Sequence, residues 1–436
     1  MHKRILTFSR RPFVRNVAAV AGGTAVAQAM TMAFSPLITR LYGPEAFGIQ
    51  GVFVTIAGVL ASVAAMSYPI AIVLPRSDVD AMSIARLSLT IGVSMSVLVT
   101  IILFFLGNEI LTLLNAEEIS YLMYLFPFAM LISVVSAVVS QWLIRKKAFS
   151  LTAKVTVWQS LFMNSIKAGL GFMYPTAAVL IVTNTIGGLL STTLMLLGLR
   201  KARIAENHNT EISGPGLSTG AVAKQYRDFP LLRTPQGLLN VVSHSLPVVM
   251  LATYFGPAAV GFYAIASTVL SMPAGLIGGS VMQVFYPRIN EAIHRGEDAK
   301  ALIIKATAGL ALTGALPFAV LIIAGPALFE FVFGTGWRTA GVYAQWLSPW
   351  LFFQYINKPA VSAIPSLRLQ KGLLLYELCS TGTKVLALYI GYVVFENDVT
   401  AVALFSIFGV VAYAWLILWV IFHSGRSVSN AHPNQA

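Results

Sequence analysis

The sequence is poor in cysteine and in charged residues. Cys379 is the only cysteine among 436 residues, which excludes a scaffold held by internal disulfides. Charged residues make up 10% of the chain, about half of what a soluble domain usually carries. Apolar residues make up 57%, which excludes a disordered chain and a soluble enzyme with one membrane anchor. These deficits leave a polytopic membrane protein with short loops.

Signatures of catalysis are also lacking. The six histidines form no metal-ligand cluster, and the chain has neither a phosphate-binding glycine loop nor a nucleophile elbow. We therefore expect a protein that is not an enzyme and has no cofactor. A membrane-bound polymerase or ligase would need a long, polar outside loop, whereas the longest predicted one, near 325–339, is mostly apolar.

Apolar runs separated by breakers predict twelve membrane-spanning helices. Spans 1–6 lie at 14–41, 48–74, 83–106, 119–143, 152–174 and 177–199, and spans 7–12 lie at 228–254, 258–285, 302–324, 340–364, 370–394 and 399–422. The sequence thus predicts an all-α polytopic membrane protein made of two pseudo-symmetric six-helix bundles. The predicted lobes are 1–200 and 228–436, joined by a flexible cytoplasmic connector at 201–227.

The positive charges predict the orientation. With the N-terminus inside, 23 of the 29 lysines and arginines fall in inside segments, and only Arg40 and Arg338 fall outside. Both termini are therefore predicted to be cytoplasmic. The basic start followed by an apolar run resembles a signal peptide, but the apolar pattern continues to Leu41, so we predict an uncleaved first helix.

The two halves share landmarks. Gly43-Pro44 follows span 1 and Gly256-Pro257 follows span 7, while Pro-Arg pairs at 75–76 and 287–288 end spans 2 and 8. Two landmarks at nearly one offset indicate a parallel internal repeat. The alternative is that Gly-Pro simply recurs in membrane turns.

Polar residues form one face on each of two equivalent helices. Span 1 carries Thr24, Gln28, Thr31, Ser35 and Thr39, and span 7 carries Arg233, Gln236, Asn240, Ser243 and His244. A polar face in lipid must meet protein or water. We predict a cleft lined by Gln28, Gln236, Asn240 and His244. The alternative is that these residues only pack between helices, and helix packing is the favoured interpretation for the serine and threonine residues.

Four cations fall inside predicted spans: Lys167, Arg233, Lys358 and Lys384. Charges at this depth usually face a cavity or a partner, although Arg233 and Lys358 lie near enough to the inside for snorkelling to the headgroups. Glu377 lies two turns from Lys384, about 10 Å along the helix, which is too far for a direct pair.

Acidic residues are missing from spans 1–6. A cleft with unpaired cations and few acids attracts an anionic substrate, and lysine and arginine donors suit phosphate. We therefore predict that the four cations, with Gln28, Gln236, Asn240 and His244, bind an anionic substrate.

The residues Arg40–Gly48, with the sequence RLYGPEAFG, the Phe229-Pro230 pair and the two-half layout resemble the polysaccharide-biosynthesis flippases. These include the O-antigen flippases of the multidrug/oligosaccharidyl-lipid/polysaccharide exporter superfamily. The resemblance implies a MATE-like, two-lobed transporter of the bacterial inner membrane. It implies alternating-access translocation of undecaprenyl-pyrophosphate-linked oligosaccharides for assembly of lipopolysaccharide O-antigen or exopolysaccharide.

The resemblance also implies a cationic cavity, to which the four buried cations correspond by role rather than by motif. Implied partners are the lipid-linked oligosaccharide and the bilayer, with a polysaccharide polymerase and a chain-length regulator as further candidates, and no nucleic acid. The alternative is a cation-coupled multidrug exporter of the same superfamily. That alternative requires embedded carboxylates, which the first six spans lack.

Overall fold

The computed structural model describes residues 12–113, 117–205, 218–295, 297–367 and 369–429. Throughout these residues the regular structure is helical. Within these residues, eight helices are long and apolar enough to cross a membrane. The prediction of an all-α polytopic membrane protein is therefore confirmed, whereas the count of twelve spans stays a prediction. The basic tail Lys3–Arg11, residues 206–217 of the connector and Arg368 lie outside the described residues.

The described chain packs as two compact units, Met1–Thr253 and Tyr254–Ala436. The helices of the first unit are α1 (Pro12–Ala64), α2 (Asp78–Leu113), α3 (Leu125–Arg145), α4 (Phe149–Gly171), α5 (Ala177–Ala205), the short α6 (Thr219–Gln225) and α7 (Thr234–Phe255). Short 3-10 helices lie at Tyr68–Val73 and Glu117–Leu122, and a π-helical turn at Phe229–Arg233 precedes α7. Most of α7 falls in the first unit, so the predicted lobe boundaries, 1–200 and 228–436, stay a prediction.

The second unit contains α8 (Pro257–His294), α9 (Ala299–Phe333), α10 (Arg338–Ile356), α11 (Lys358–Ala363), α12 (Gln370–Val393) and α13 (Asp398–Ser429). The predicted span 340–364 is interrupted, because α10 ends at Ile356 and α11 begins at Lys358. Pro359 explains the break, since it has no backbone N–H to continue the helical hydrogen bonds.

The two Gly-Pro landmarks adopt the same backbone conformation. Gly43 has φ 70° and ψ 171°, and Gly256 has φ 84° and ψ 178°. Glycine tolerates positive φ because it has no Cβ, and the following proline suits the first turn of a helix. Both glycines turn the chain from one long helical segment into the next, which supports the internal repeat.

Arg145, at the end of α3, binds the turn between α1 and α2. Its Nε lies 2.9 Å from Asp78 Oδ1, and its Nη1 donates to the carbonyls of Ile72 at 3.1 Å and Pro75 at 2.6 Å. The side chain is only 11% exposed. This arginine, counted among the inside charges, therefore also holds the 3-10 helix and the following loop in place.

The described part of the connector is ordered. Ser218 caps α6 by accepting from the Ala221 N–H, and Val222 is fully buried in a cluster with Tyr68 and Ile72. Tyr68 Oη also donates to the Ala223 carbonyl at 3.3 Å. Residues 219–225 thus form a helix within the first unit, and the flexibility of the connector at 201–227 stays a prediction.

Candidate functional site

Lys384 lies in the interior of a helix rather than near its end. It is 14 residues from the start of α12, or about 21 Å at the rise of an α-helix. The side chain is half-buried, and its Nζ lies 5.7 Å from the centroid of the Trp350 ring and 5.9 Å from that of Phe405. Helices α10, α12 and α13 of the second unit therefore meet around this ammonium group.

Lys167, Lys358 and Lys384, which lie within helices, have no carboxylate partner among the described residues. Among the described residues, the ion pairs join side chains at or near helix ends, such as Arg145 with Asp78 and Arg338 with Glu330. No ion pair within the described ranges includes Lys167, Lys358 or Lys384. An unpaired charge in a membrane span is costly unless water or an anion compensates it.

Lys167 occupies a well-fixed part of α4. Tyr42 Oη, from α1, donates to the Lys167 carbonyl at 2.8 Å. One turn later, a Cβ placed on Gly171 would lie 2.7 Å from the Tyr42 ring. Glycine at this position lets α1 and α4 approach closely, which fixes the backbone that carries the half-buried Lys167 side chain.

The contacts of Asn164 and Thr31 are those of helix packing. Asn164 Nδ2 donates to the Ser160 carbonyl at 2.8 Å and to Thr31 Oγ1 at 3.1 Å, and Ser160 Oγ donates to the Ala27 carbonyl. These bonds join α1 to α4. Part of the polar face predicted on the first span is therefore used between helices of one unit.

A polar stripe runs along α7. Gln236, Asn240 and His244 follow one another at intervals of four residues, and all three are exposed. Arg233, in the π-helical turn, is exposed as well and donates from Nη1 to Gln236 Oε1 at 3.0 Å. The segment Phe229–Phe255 is apolar enough to span a membrane. Its polar stripe must therefore meet water, protein or a polar ligand.

Gln28 carries, and Lys358 adjoins, a buried acceptor that has no partner among the described residues. Gln28 is half-buried, and its Oε1 has no hydrogen-bond donor among the described residues. Lys358 is half-buried and follows Asn357, whose Oδ1 is in the same situation within the described ranges. Buried acceptors of this kind are costly unless a donor, such as water or a ligand hydroxyl, reaches them.

The structure joins Arg233 and Gln236 by a hydrogen bond, and it gives Lys384 two aromatic neighbours that the sequence did not single out. Trp350 and Phe405 stand in apolar runs of a chain that is 11% aromatic, so no local signal marked them. They are 34 residues before and 21 residues after Lys384 in sequence, and only tertiary packing brings them to it.

Comparisons with known proteins agree on one class of membrane protein. A family model described as "Polysaccharide biosynthesis protein" matches residues 37–341. The succinoglycan biosynthesis transport protein ExoT of Rhizobium meliloti is 23% identical over 312 residues. That match covers 70% of this chain and 59% of the relative, so the chain spans less than two thirds of the relative's length.

Solved transporters share the fold. An inward-facing multidrug resistance MATE family transporter of the MOP superfamily matches with a TM-score of 0.69 at 13% identity, covering 94% of this chain and 96% of its own. The lipid II flippase MurJ, in an inward closed conformation, matches with a TM-score of 0.65 at 15% identity. The match covers 94% of this chain and 90% of the MurJ chain. At these identities the likeness establishes the all-α architecture and leaves the substrate open.

Proposed function

The chain belongs to the polysaccharide biosynthesis protein family, and we propose that it is a flippase for undecaprenyl-pyrophosphate-linked oligosaccharide repeat units in the bacterial inner membrane. It is an integral membrane protein with the fold of MOP-superfamily transporters. The observation that carries the proposal is the presence of the half-buried, unpaired Lys167, Lys358 and Lys384 in the described helices.

The chemistry of a pyrophosphate matches these cations. Each ammonium group offers three donors and a point charge, and Arg233 adds a planar fork suited to phosphate oxygens. A diphosphate bound at one of these lysines supplies its missing counter-charge, because none of the three has a carboxylate partner among the described residues. The attraction is strong in a low-dielectric environment and favours the anionic head over neutral lipids.

The uncharged polar residues suit the sugar. Gln28, Gln236, Asn240 and His244 can donate to and accept from hydroxyl groups, and the α7 stripe needs a polar environment within its span. The polyprenyl tail would remain in the bilayer while the head crosses. Alternating access, with openings to one side and then the other, gives the head a path to the outer leaflet, and a gradient of substrate or of an ion sets the direction of net transfer.

The multidrug-exporter alternative finds less support. The structural likeness to a MATE transporter concerns fold alone, and fold does not determine substrate. Coupling to protons or sodium calls for carboxylates inside the helices, and the six predicted spans of the first half contain none. Drug-resistance profiles of a deletion strain would reveal the exporter, whereas loss of surface polysaccharide would fit the flippase.

The direct test uses purified protein in liposomes. A fluorescent polyprenyl-pyrophosphate sugar is placed in one leaflet, and its appearance in the other is followed with a membrane-impermeant quencher. We expect transfer that is faster than in protein-free liposomes and that requires the pyrophosphate, with a neutral glycolipid as the comparison substrate. Transfer of the neutral glycolipid at the same rate, or no transfer of either, would refute the proposal.

A further inference from the structure

The surroundings of Lys384 differ from those of the other cations. Trp350 of α10 and Phe405 of α13 are only 8% and 5% exposed, and their rings meet edge to face with centroids 4.9 Å apart. Both centroids lie within 6 Å of the Lys384 ammonium nitrogen, the range in which a cation interacts with an aromatic ring. No such contact is found at Lys167 or Lys358 in the described structure.

An aromatic neighbour and a carboxylate affect an ammonium group differently. A carboxylate neutralises its charge and occupies its N–H donors. An aromatic ring attracts the cation through its quadrupole while adding no net negative charge. An ammonium group held in this way keeps its full charge for another anion.

We propose that Trp350 and Phe405 form an aromatic seat, meaning these two rings together, that positions Lys384 to bind the diphosphate of the substrate. The inference rests on the flippase function proposed above and names two positioning residues for it. The diphosphate would approach the N–H groups that the rings leave free. The seat restricts a flexible side chain before binding, which lowers the entropy lost when the anion is bound.

The packing around the seat is tight enough for this role. A Cβ placed on Gly409 would lie 2.7 Å from Trp350 Nε1, so the indole lies directly against α13. Ser406, next to Phe405, donates a hydrogen bond to the Trp346 carbonyl of α10. Trp350 Nε1 itself is buried without an acceptor among the described residues, so its position depends on packing. The rings are therefore fixed by the α10–α13 contact and not by Lys384.

The test compares aromatic and aliphatic residues in the seat. Trp350→Leu and Phe405→Leu remove the ring face and keep the site apolar, whereas Trp350→Phe retains a ring. Phe318→Leu is the matched control, because Phe318 is also 5% exposed and meets Phe352 edge to face in the same unit. Flipping rates in liposomes are measured against substrate concentration, and binding of inorganic pyrophosphate to the purified protein is measured by calorimetry.

We expect each leucine variant in the seat to raise the apparent KM about 3- to 10-fold with a nearly unchanged maximal rate. Pyrophosphate binding should weaken by a similar factor. Trp350→Phe should recover most of the loss, and Phe318→Leu should leave KM unchanged. In a Lys384→Gln background, Trp350→Leu should have no further effect, because the two residues act as a unit.

Two results would contradict the proposal that the aromatic seat positions Lys384. One is a Trp350→Leu variant whose KM matches that of Phe318→Leu, and the other is an equal effect of Trp350→Leu with and without Lys384. A wild-type protein that fails to flip the pyrophosphate lipid refutes the proposed function instead. In that case the pyrophosphate titrations still decide whether the rings position Lys384 for a diphosphate.

Discussion

The phenol oxygen of Tyr42 donates a hydrogen bond of 2.8 Å to the backbone carbonyl of Lys167. Tyr42 precedes the Gly43-Pro44 turn, so the sequence landmark that ends the first predicted span also contacts the helix carrying a candidate substrate-binding cation. The turn and the Lys167 backbone are thereby held together within the first unit. Substitutions at this contact should affect stability, and through it the position of Lys167.

Gly171→Ala should destabilise the protein. The added Cβ would lie 2.7 Å from the Tyr42 ring, so the ring or the helix must shift, at a cost of about 1–3 kcal/mol. Gly169→Ala is the control on the same helix, because no atom lies within 4 Å of its added Cβ. Alanine is the better helix former, so this control should be neutral or slightly stabilising. Thermal unfolding in detergent measures both, and equal melting temperatures would contradict the close approach.

The equivalent turns should respond alike to substitution. Gly43→Ala and Gly256→Ala meet no neighbouring atom, yet each places a Cβ at a φ of 70° or 84°. With ψ of 171° and 178°, these glycines adopt a conformation that is essentially restricted to glycine and costs a residue with a Cβ about 1–3 kcal/mol, so both variants should lower the melting temperature by similar amounts. Gly58→Ala, at a helical position with free space, is the control and should leave the melting temperature unchanged. Loss of stability at only one turn would argue against equivalent roles in the repeat.

Arg145→Gln should destabilise the protein more than Lys146→Gln. Both side chains pair with Asp78, but only Arg145 also donates to the Ile72 and Pro75 carbonyls, and it is the more buried of the two. Hydrogen bonds to charged groups contribute about 1.5–3 kcal/mol each, whereas an exposed ion pair contributes about 0–1 kcal/mol. Chemical unfolding followed by tryptophan fluorescence would rank the variants. A larger loss for Lys146→Gln would contradict the structural role of the guanidinium.

The helices could be predicted from local sequence signals, whereas the contacts between distant residues could not. Long apolar runs and their breakers mark helices such as Gln370–Val393, which agrees with the predicted span 370–394. The break at Asn357 could have been found from Pro359, whose missing N–H is a local property. The Arg145 contacts and the aromatic seat could not have been found from the sequence, because the contacting residues lie about 20 to 70 residues away along the chain. These contacting residues are also ordinary loop and apolar residues, which no local pattern marks.

Candidate site residues were predictable by type but not by surroundings. A lysine in an apolar run is conspicuous, so Lys167, Lys358 and Lys384 stood out from the sequence. Their different neighbours, a tyrosine hydroxyl at the Lys167 backbone and two rings at Lys384, depend on which helices pack together. Periodicity places a residue on a face of its helix and leaves the opposing helix undefined.

Neutralising the four candidate cations tests the electrostatic part of the proposed mechanism. Lys167→Gln, Arg233→Gln, Lys358→Gln and Lys384→Gln each remove one positive charge while keeping a polar side chain. We expect each to reduce flipping of the pyrophosphate lipid. Lys384→Gln should have the largest effect, about tenfold or more, because its charge is deep in a helix and held by aromatic rings. Arg233→Gln should have the smallest effect, since Arg233 is exposed and bonds to Gln236.

Lys305→Gln is the matched control, because Lys305 is an exposed lysine near the start of α9 and forms no ion pair among the described residues. It should flip at the wild-type rate. Rates are compared at equal amounts of folded, reconstituted protein, so that loss of expression is not mistaken for loss of transport. If the variant lacking all four cations flips as fast as Lys305→Gln, these cations do not bind the diphosphate.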